Sequence, residues 1–391
     1  MDSIPRSKDD DYADDIVAQR RALCEAAAGR ELPFLAGSPV PASEARGNIE
    51  NFVGYAQVPI GIAGPLTVDT SLGERTVLVP MATNEGAMVA SYSRGMRLFA
   101  AGAPPRARVF QHGLTQNPVL VYADAERATA AAALATEALD DLRAITARGT
   151  SHGSLLEVRP RLLGRRLILG LVFGTGDAIG INMAARATQA CAEEFARRSG
   201  AESFFVHGQD VEKRANSRAL AEGRGRSVVC DVTVKREALA ELARATPEQL
   251  VEIQNTYRLG FAHLGTHNWA VQTANGLAAV LIACGQDAAY VTECATGFLE
   301  FETTPGGEGG DLYACLILPS LLLGTVGGGS GKGTAAECLD ILGCRGSGKA
   351  DLLAEILGAT LLAGDLSLMA AFCSHEFVAA HERLGRNRPP R

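Results

Sequence analysis

The stretch Arg165–Asn182, RRLILGLVFGTGDAIGIN, decides between two architectures, because it places an apolar strand, a glycine turn and a helix start in succession. Backbone amides at such a junction can face a pyrophosphate. The glycines follow the spacing GxGxxxG, from Gly174 through Gly176 to Gly180, instead of the GxGxxG of a Rossmann unit, and no acidic residue closes a suitable second strand. A Rossmann domain is therefore the weaker reading. Upstream lie an alanine-rich helix, AERATAAAALATEALDDLRAI, and strands around SLLEVRPRLLG; downstream a helix runs from about Ala178 to Ser199. These pieces make an α+β unit over residues 118–206. Strand-like and helical pieces alternate on either side of it, so the unit reads as an insertion into a large split domain of residues 47–117 and 207–391. The acidic start from Asp2 to Asp15 is expected to be disordered, and IVAQRRALCEAAA reads as a helix that covers a neighbour or a partner subunit, giving an N-terminal segment over 1–46.

The chain has 391 residues, 47% hydrophobic and 21% charged, enough to bury a substantial core. Its net charge of −7 and the absence of a Lys/Arg-rich block argue against nucleic acid as a partner. Nine cysteines are scattered without a CxxC pair, and Cys230, Cys284 and Cys315 sit in apolar runs, which fits buried thiols in a reducing cytosol. No signal peptide is visible, and the apolar stretch LYACLILPSLLLGTV is interrupted by Pro319, so a soluble, cytoplasmic protein without a membrane partner is expected. The 43 glycines cluster in loops such as GGEGG and GTVGGGSGKG, where the chain bends sharply or approaches a ligand.

At Met81–Glu85 a lone carboxylate stands at a turn-to-helix junction. From Gly86 the segment GAMVASYSRGMRLFAAG reads as a helix with Met88, Tyr92, Met96 and Phe99 on one side and Ser91, Arg94 and Arg97 on another. Two arginines about one turn apart suit a phosphate-bearing ligand, although spacing alone favours a solvated helix face. Upstream, ENFVGY (Glu50–Tyr55) runs into QVPIGIAGPL, and PMATNEG follows. GDAIGIN, EGRGRSVVC, IACGQDAA, LPSLLLGTVGGG and LSLMAA come later in that order. These collinear blocks resemble the 3-hydroxy-3-methylglutaryl-CoA (HMG-CoA) reductase family over roughly residues 45–388, and the chain ends without the extra C-terminal domain of the family's second class, so it resembles class I catalytic domains.

The resemblance implies a large domain that holds a CoA thioester, a small ferredoxin-like domain that holds NADPH, no metal, and a homodimer or larger assembly with clefts between subunits. It implies reduction of HMG-CoA to mevalonate and CoA by two hydride transfers. Lys213, in VEKRANSR, matches the family's catalytic lysine, which suits an oxyanion. Glu85 and His381 match its proton donors to the aldehyde carbonyl and to the CoA thiolate, and Asp287 of CGQDAA matches the carboxylate between lysine and glutamate. Without the resemblance, Lys213 belongs to a charged surface run, Asp287 to an ordinary turn and His381 to a helix end; His375 is a lower-ranked decoy. Asn51, Ser91, Arg94, Arg97 and Asn275 match on the CoA side, while Asp177, Ile179, Gly180, Asn182, Gly327 and Gly328 match on the cofactor side.

Several positions depart from the family pattern. Gln116 replaces an arginine that helps hold the acyl carboxylate, and His207, Glu212 and Arg214 replace a serine, an aspartate and a lysine around Lys213. The family's TSR segment reads Thr150, Ser151, His152, which removes the arginine expected at the 2′-phosphate of NADP and leaves NADH open; Arg159, Arg161, Arg165 and Arg166 are candidate substitutes. A sister reductase for another acyl thioester and a non-catalytic thioester-binding homologue are the alternatives. GCRGSGK, Gly343–Lys349, imitates a phosphate-binding P-loop, but Ala350 replaces its hydroxyl residue and the preceding AAECLDIL reads as a helix capped by Gly343.

Overall fold

A computed structural model describes residues 5, 7, 9–10, 12–28, 31, 40–206, 213–214, 217–266, 268–305 and 309–374. Its strands are β1 (Ile60–Thr70), β2 (Gly73–Ala82), β3 (Arg106–Gln116), β4 (Val119–Val121), β5 (Ser154–Val158), β6 (Arg161–Leu163), β7 (Arg166–Ile168), β8 (Leu171–Gly174), β9 (Ser203–Phe205), β10 (Gly225–Val234), β11 (Phe298–Thr303) and β12 (Leu312–Leu321). The longer helices are α1 (Asp14–Ala28), α2 (Met88–Phe99), α3 (Ala125–Glu137), α4 (Leu139–Gly149), α5 (Ile181–Ser199), α6 (Ser217–Glu222), α7 (Pro247–Leu264), α8 (Thr273–Ala283), α9 (Gly333–Ile341) and α10 (Ala350–Cys373). The fold is α+β.

The large sheet runs β11–β12–β10–β3–β1–β2, antiparallel except where Asp69 of β1 meets Arg106 of β3. Pro319 does not end β12. It falls in a bulge between Leu318 and Leu321, where a missing N–H is tolerated, and its carbonyl accepts from Ser227 Oγ at 2.7 Å.

Strands of the central segment divide between two sheets. β5 and β8 join the large sheet, because Phe173, Val172 and Leu171 pair with Leu114, Thr115 and Gln116 of β3. β6, β7, β4 and β9 form a separate antiparallel sheet in that order, with α3 packed on β6 and β7 and α5 on β9. The single alanine-rich helix expected from sequence is two helices, parted at Ala138, where ψ is 2°.

α10 is long and apolar enough to cross a membrane, yet 83% of its most apolar window is buried inside the fold. It packs against α2, α7, α8, β3, β10 and β12. Helix backbones touch at its crossing with α2: a Cβ on Gly95 would stand 1.9 Å from the Ala363 carbonyl oxygen. The N-terminal helix is anchored to its own chain, with Val17 buried against Ala42, Ala45 and Phe52. The disorder expected for the acidic start does not hold throughout it: Asp10 pairs with Arg46 at 2.7 Å and α1 begins at Asp14.

Candidate active site

The short segment Asp287–Cys294 follows α8. Asp287 caps a 3-10 turn by accepting from the Ala289 amide at 3.0 Å, and one helical turn, Val291–Cys294, completes the segment. Three of its side chains converge on Lys213. Asp287 Oδ2 accepts from Lys213 Nζ at 2.5 Å, and the Tyr290 ring lies 4.9 Å from the same ammonium, within cation–π range. The Glu293 carboxylate accepts from the Lys213 backbone amide, and its other oxygen accepts from Arg224 Nη1 at 2.6 Å. Lys213 itself has φ +60°, a left-handed conformation that costs a non-glycine residue of order 1 kcal/mol or more.

Charge is settled by these partners. Burial pushes the Asp287 carboxyl up, but the Lys213 hydrogen bond, the Ala289 amide and the lysine's charge outweigh it and hold the group below its ordinary value. Both side chains stay open to solvent, at 39% and 45% exposure, so a ligand can reach the pair. An ammonium has three N–H donors and Asp287 takes one, which suits the cluster to a developing oxyanion.

Glu85 stands exposed between β2 and α2, its amide donating to Thr83 Oγ1 at 3.0 Å. Among the described residues no hydrogen bond joins Glu85 to Lys213 or Asp287. His381, His207 and Glu212 lie outside the described residues. Arg214 is exposed beside Lys213, and Gln116 is buried at the end of β3, 4% exposed.

On the CoA side, two nominated residues turn inward. Ser91 Oγ and Arg94 Nε each meet Ser367 Oγ at 3.0 Å, and Arg94 Nη2 donates to the Ser367 carbonyl at 2.6 Å, tying α2 to α10. Arg97 and Asn275 are exposed, and Asn51 is half-buried with φ +51°.

The nominated cofactor residues do come together. A Cβ on Gly176 would stand 3.8 Å from the His152 carbonyl, and one on Gly324 would stand 2.9 Å from the Ile179 amide, so Ser151–His152, the GDAIGIN turn and the GTVGGG loop are neighbours. Gly180 precedes α5 with φ +79°, Asn182 is exposed in its first turn, and Gly327 and Gly328 have positive φ with nothing within 4 Å of an added Cβ. Asp177 points elsewhere: its carboxylate accepts from the Gly348, Lys349 and Ala350 amides at 2.7, 3.1 and 3.1 Å. The P-loop-like amides therefore hold a carboxylate of the chain itself, at the N-terminus of α10.

A profile of the family "Hydroxymethylglutaryl-coenzyme A reductase" matches residues 16–386. The chain belongs to that reductase family. It is 36% identical over 377 residues to the 3-hydroxy-3-methylglutaryl-coenzyme A reductase of Methanothermobacter thermautotrophicus, covering 95% of this chain and 94% of the relative. The enzyme of the same name from Halobacterium salinarum is 38% identical over 386 residues, covering 97% and 94%. Among solved structures, the class II reductase of Streptococcus pneumoniae bound to NADPH in open conformations has the same fold, with a TM-score of 0.69 at 19% identity, covering 91% of this chain and 96% of that one.

Three residues of the cluster in this member of the reductase family escaped sequence reasoning: Tyr290, Glu293 and Arg224. The available signal was Glu293, an acid inside the half-apolar run AAYVTEC, together with an arginine in EGRGR to balance it. The described cysteines are unpaired thiols, seven of them buried, and burial pushes Cys294 up to about 12, which makes that thiol inert as a nucleophile.

Proposed function

We propose that this chain reduces HMG-CoA to mevalonate and CoA with two equivalents of NADPH, by two successive hydride transfers. The observation that carries the proposal is the Lys213–Asp287 pair, open to a ligand, in a chain of the reductase family. NADPH supplies the hydride in each transfer. Lys213 presents its ammonium to the oxygen that becomes negative as the thioester carbonyl carbon is reduced, a stabilisation of roughly 3 kcal/mol. Asp287 keeps the ammonium aimed. Glu85, exposed at the head of α2, is the proton donor for the aldehyde oxygen, and His381 is the donor for the departing CoA thiolate.

For the cofactor, the fit rests on the exposed start of α5 behind Gly180 and on the open positive-φ glycines 327 and 328, a setting that admits a pyrophosphate close to backbone amides. Ser151 and His152 lie beside it. The four-strand order β6–β7–β4–β9, with helices between its first and second and its third and fourth strands in sequence, supports an inserted ferredoxin-like nicotinamide-binding domain over 118–206, from which β5 and β8 reach across to pair with the large sheet. Residues 47–117 and 207–391 are then the CoA-binding and catalytic domain. Exposed Ile60, Ile62 and Leu78 on the β1–β2 hairpin support a face covered by a second copy, and a homodimer or larger assembly is part of the proposal.

Purified protein given HMG-CoA and NADPH should oxidise two NADPH for each mevalonate formed, faster than with NADH. The buried neutral Gln116 favours one second reading, a sister reductase for a thioester without the distal carboxylate. Turnover of another acyl-CoA but not of HMG-CoA, with either nicotinamide, would establish that reading instead.

A further inference from the structure

Lys213 is held at both ends by one segment: Asp287 takes its ammonium, Tyr290 lies against that ammonium, and Glu293 takes its backbone amide. We infer that Glu293 is a positioning residue for Lys213, fixing a strained backbone so that the ammonium is delivered to Asp287 and the reacting oxygen. The inference rests on the catalytic role proposed for Lys213.

The physical need is visible in the backbone. A left-handed lysine relaxes toward ordinary φ unless its surroundings hold it, and relaxation swings the Cα–Cβ bond and with it a long flexible side chain. Glu293 is 4% exposed, and its partner Arg224 is nearly as enclosed, at 11% for the side chain. Buried ion pairs are poor sources of net stability, because desolvation of both charges offsets their attraction; their better-supported use is to fix one arrangement. Here Arg224 Nε also donates to the Thr115 carbonyl of β3 at 3.5 Å, so the carboxylate that holds Lys213 is braced against the large sheet. Asp287, Tyr290 and Glu293 are offered from one continuous segment, a capped 3-10 turn followed directly by a helical turn, so the distance between the two ends of the grip is set by local backbone and not by distant packing.

Two double variants separate positioning from stability. R224M/E293L and R224M/E293Q both lose the ion pair without leaving a buried charge alone, but only the glutamine keeps an oxygen to accept from the Lys213 amide. The expected result is a kcat roughly 100-fold lower for R224M/E293L than for R224M/E293Q, the scale of a misplacement of about 1 Å, with KM values for HMG-CoA and NADPH alike in the two. The chain has only five lysines, so selective 15N-lysine labelling gives a readable Lys213 amide. Its hydrogen exchange should be faster in R224M/E293L than in R224M/E293Q at equal melting temperature. Equal kcat and equal exchange in the two proteins would overturn the inference. Undiminished turnover of Lys213→Met would overturn the catalytic role instead, and the exchange comparison would still decide whether Glu293 holds that backbone.

Discussion

Replacing Asp365 by asparagine should change how the stability of this protein depends on pH. Asp365 lies inside α10 at 0% exposure and accepts from the Gln272 amide at 2.6 Å and the Val271 amide at 3.3 Å. Burial raises its carboxyl to about 7, against the smaller opposing effect of those two amides. In an unfolded chain the value is about 3.9, so the native state binds the proton more tightly. Stability therefore falls as pH rises from about 4 to about 7 and levels off above that. Three pH units at about 1.4 kcal/mol each give a span of about 4 kcal/mol as an upper figure. Asparagine cannot ionise, so it removes the slope. Its oxygen can keep the Gln272 amide, but its NH2 then faces the Val271 amide, donor against donor, at a cost of about 1–3 kcal/mol. The variant should melt below the parent at pH 5 and level with it or above it at pH 8. About 2.7 kcal/mol of that span falls between pH 5 and pH 8, because part of it is already lost by pH 5; for 391 residues this corresponds to a relative change of about 3 °C between the two pH values. Thermal melts by circular dichroism at pH 5, 6, 7 and 8 read this directly. Parallel curves for the two proteins would refute the assignment of a buried, proton-holding carboxyl at this position.

Gly95→Ala should cost about 3 kcal/mol or more, because the new Cβ meets the Ala363 carbonyl of α10, and backbone cannot give way as a side-chain tip can; a melting temperature within a degree of the parent would contradict the crossing. Asp177→Ala removes the acceptor of three amides at the start of α10 and should cost about 1–2 kcal/mol, with a rise in KM for NADPH larger than that for HMG-CoA, as paired melts and steady-state kinetics will show. Thr246→Ala breaks the capping box of α7 with Gln249 and should lower stability by about 1 kcal/mol in urea titrations without changing kcat.

Sequence alone reached far where pattern and chemistry coincide. The strand–glycine–helix order of 165–182 located the start of α5, and its glycine spacing set aside a Rossmann unit. The turn at 343–349 was readable as a loop because Gly343 closes α9, but what fills its amides was not, since Asp177 lies 171 residues away from Gly348. Long-range partners hid the rest. Ser91 and Arg94 look solvent-facing on a helical wheel, yet both turn to Ser367, because glycine at 95 lets α10 come close enough to take them. Pro319 looked like a break in an apolar run, and a strand bulge absorbs it. Glu293 was invisible for the same reason: an acid in an apolar run has meaning only once Arg224 and Lys213 are beside it.

The most direct measurement is turnover of HMG-CoA by Lys213→Met with NADPH, scored as mevalonate formed by a protein whose melting curve matches the parent. Loss of one charged donor at the oxyanion predicts a fall in kcat of about a hundredfold to a thousandfold. Mevalonate made at the parental rate would show that the ammonium beside Asp287 has no part in the chemistry.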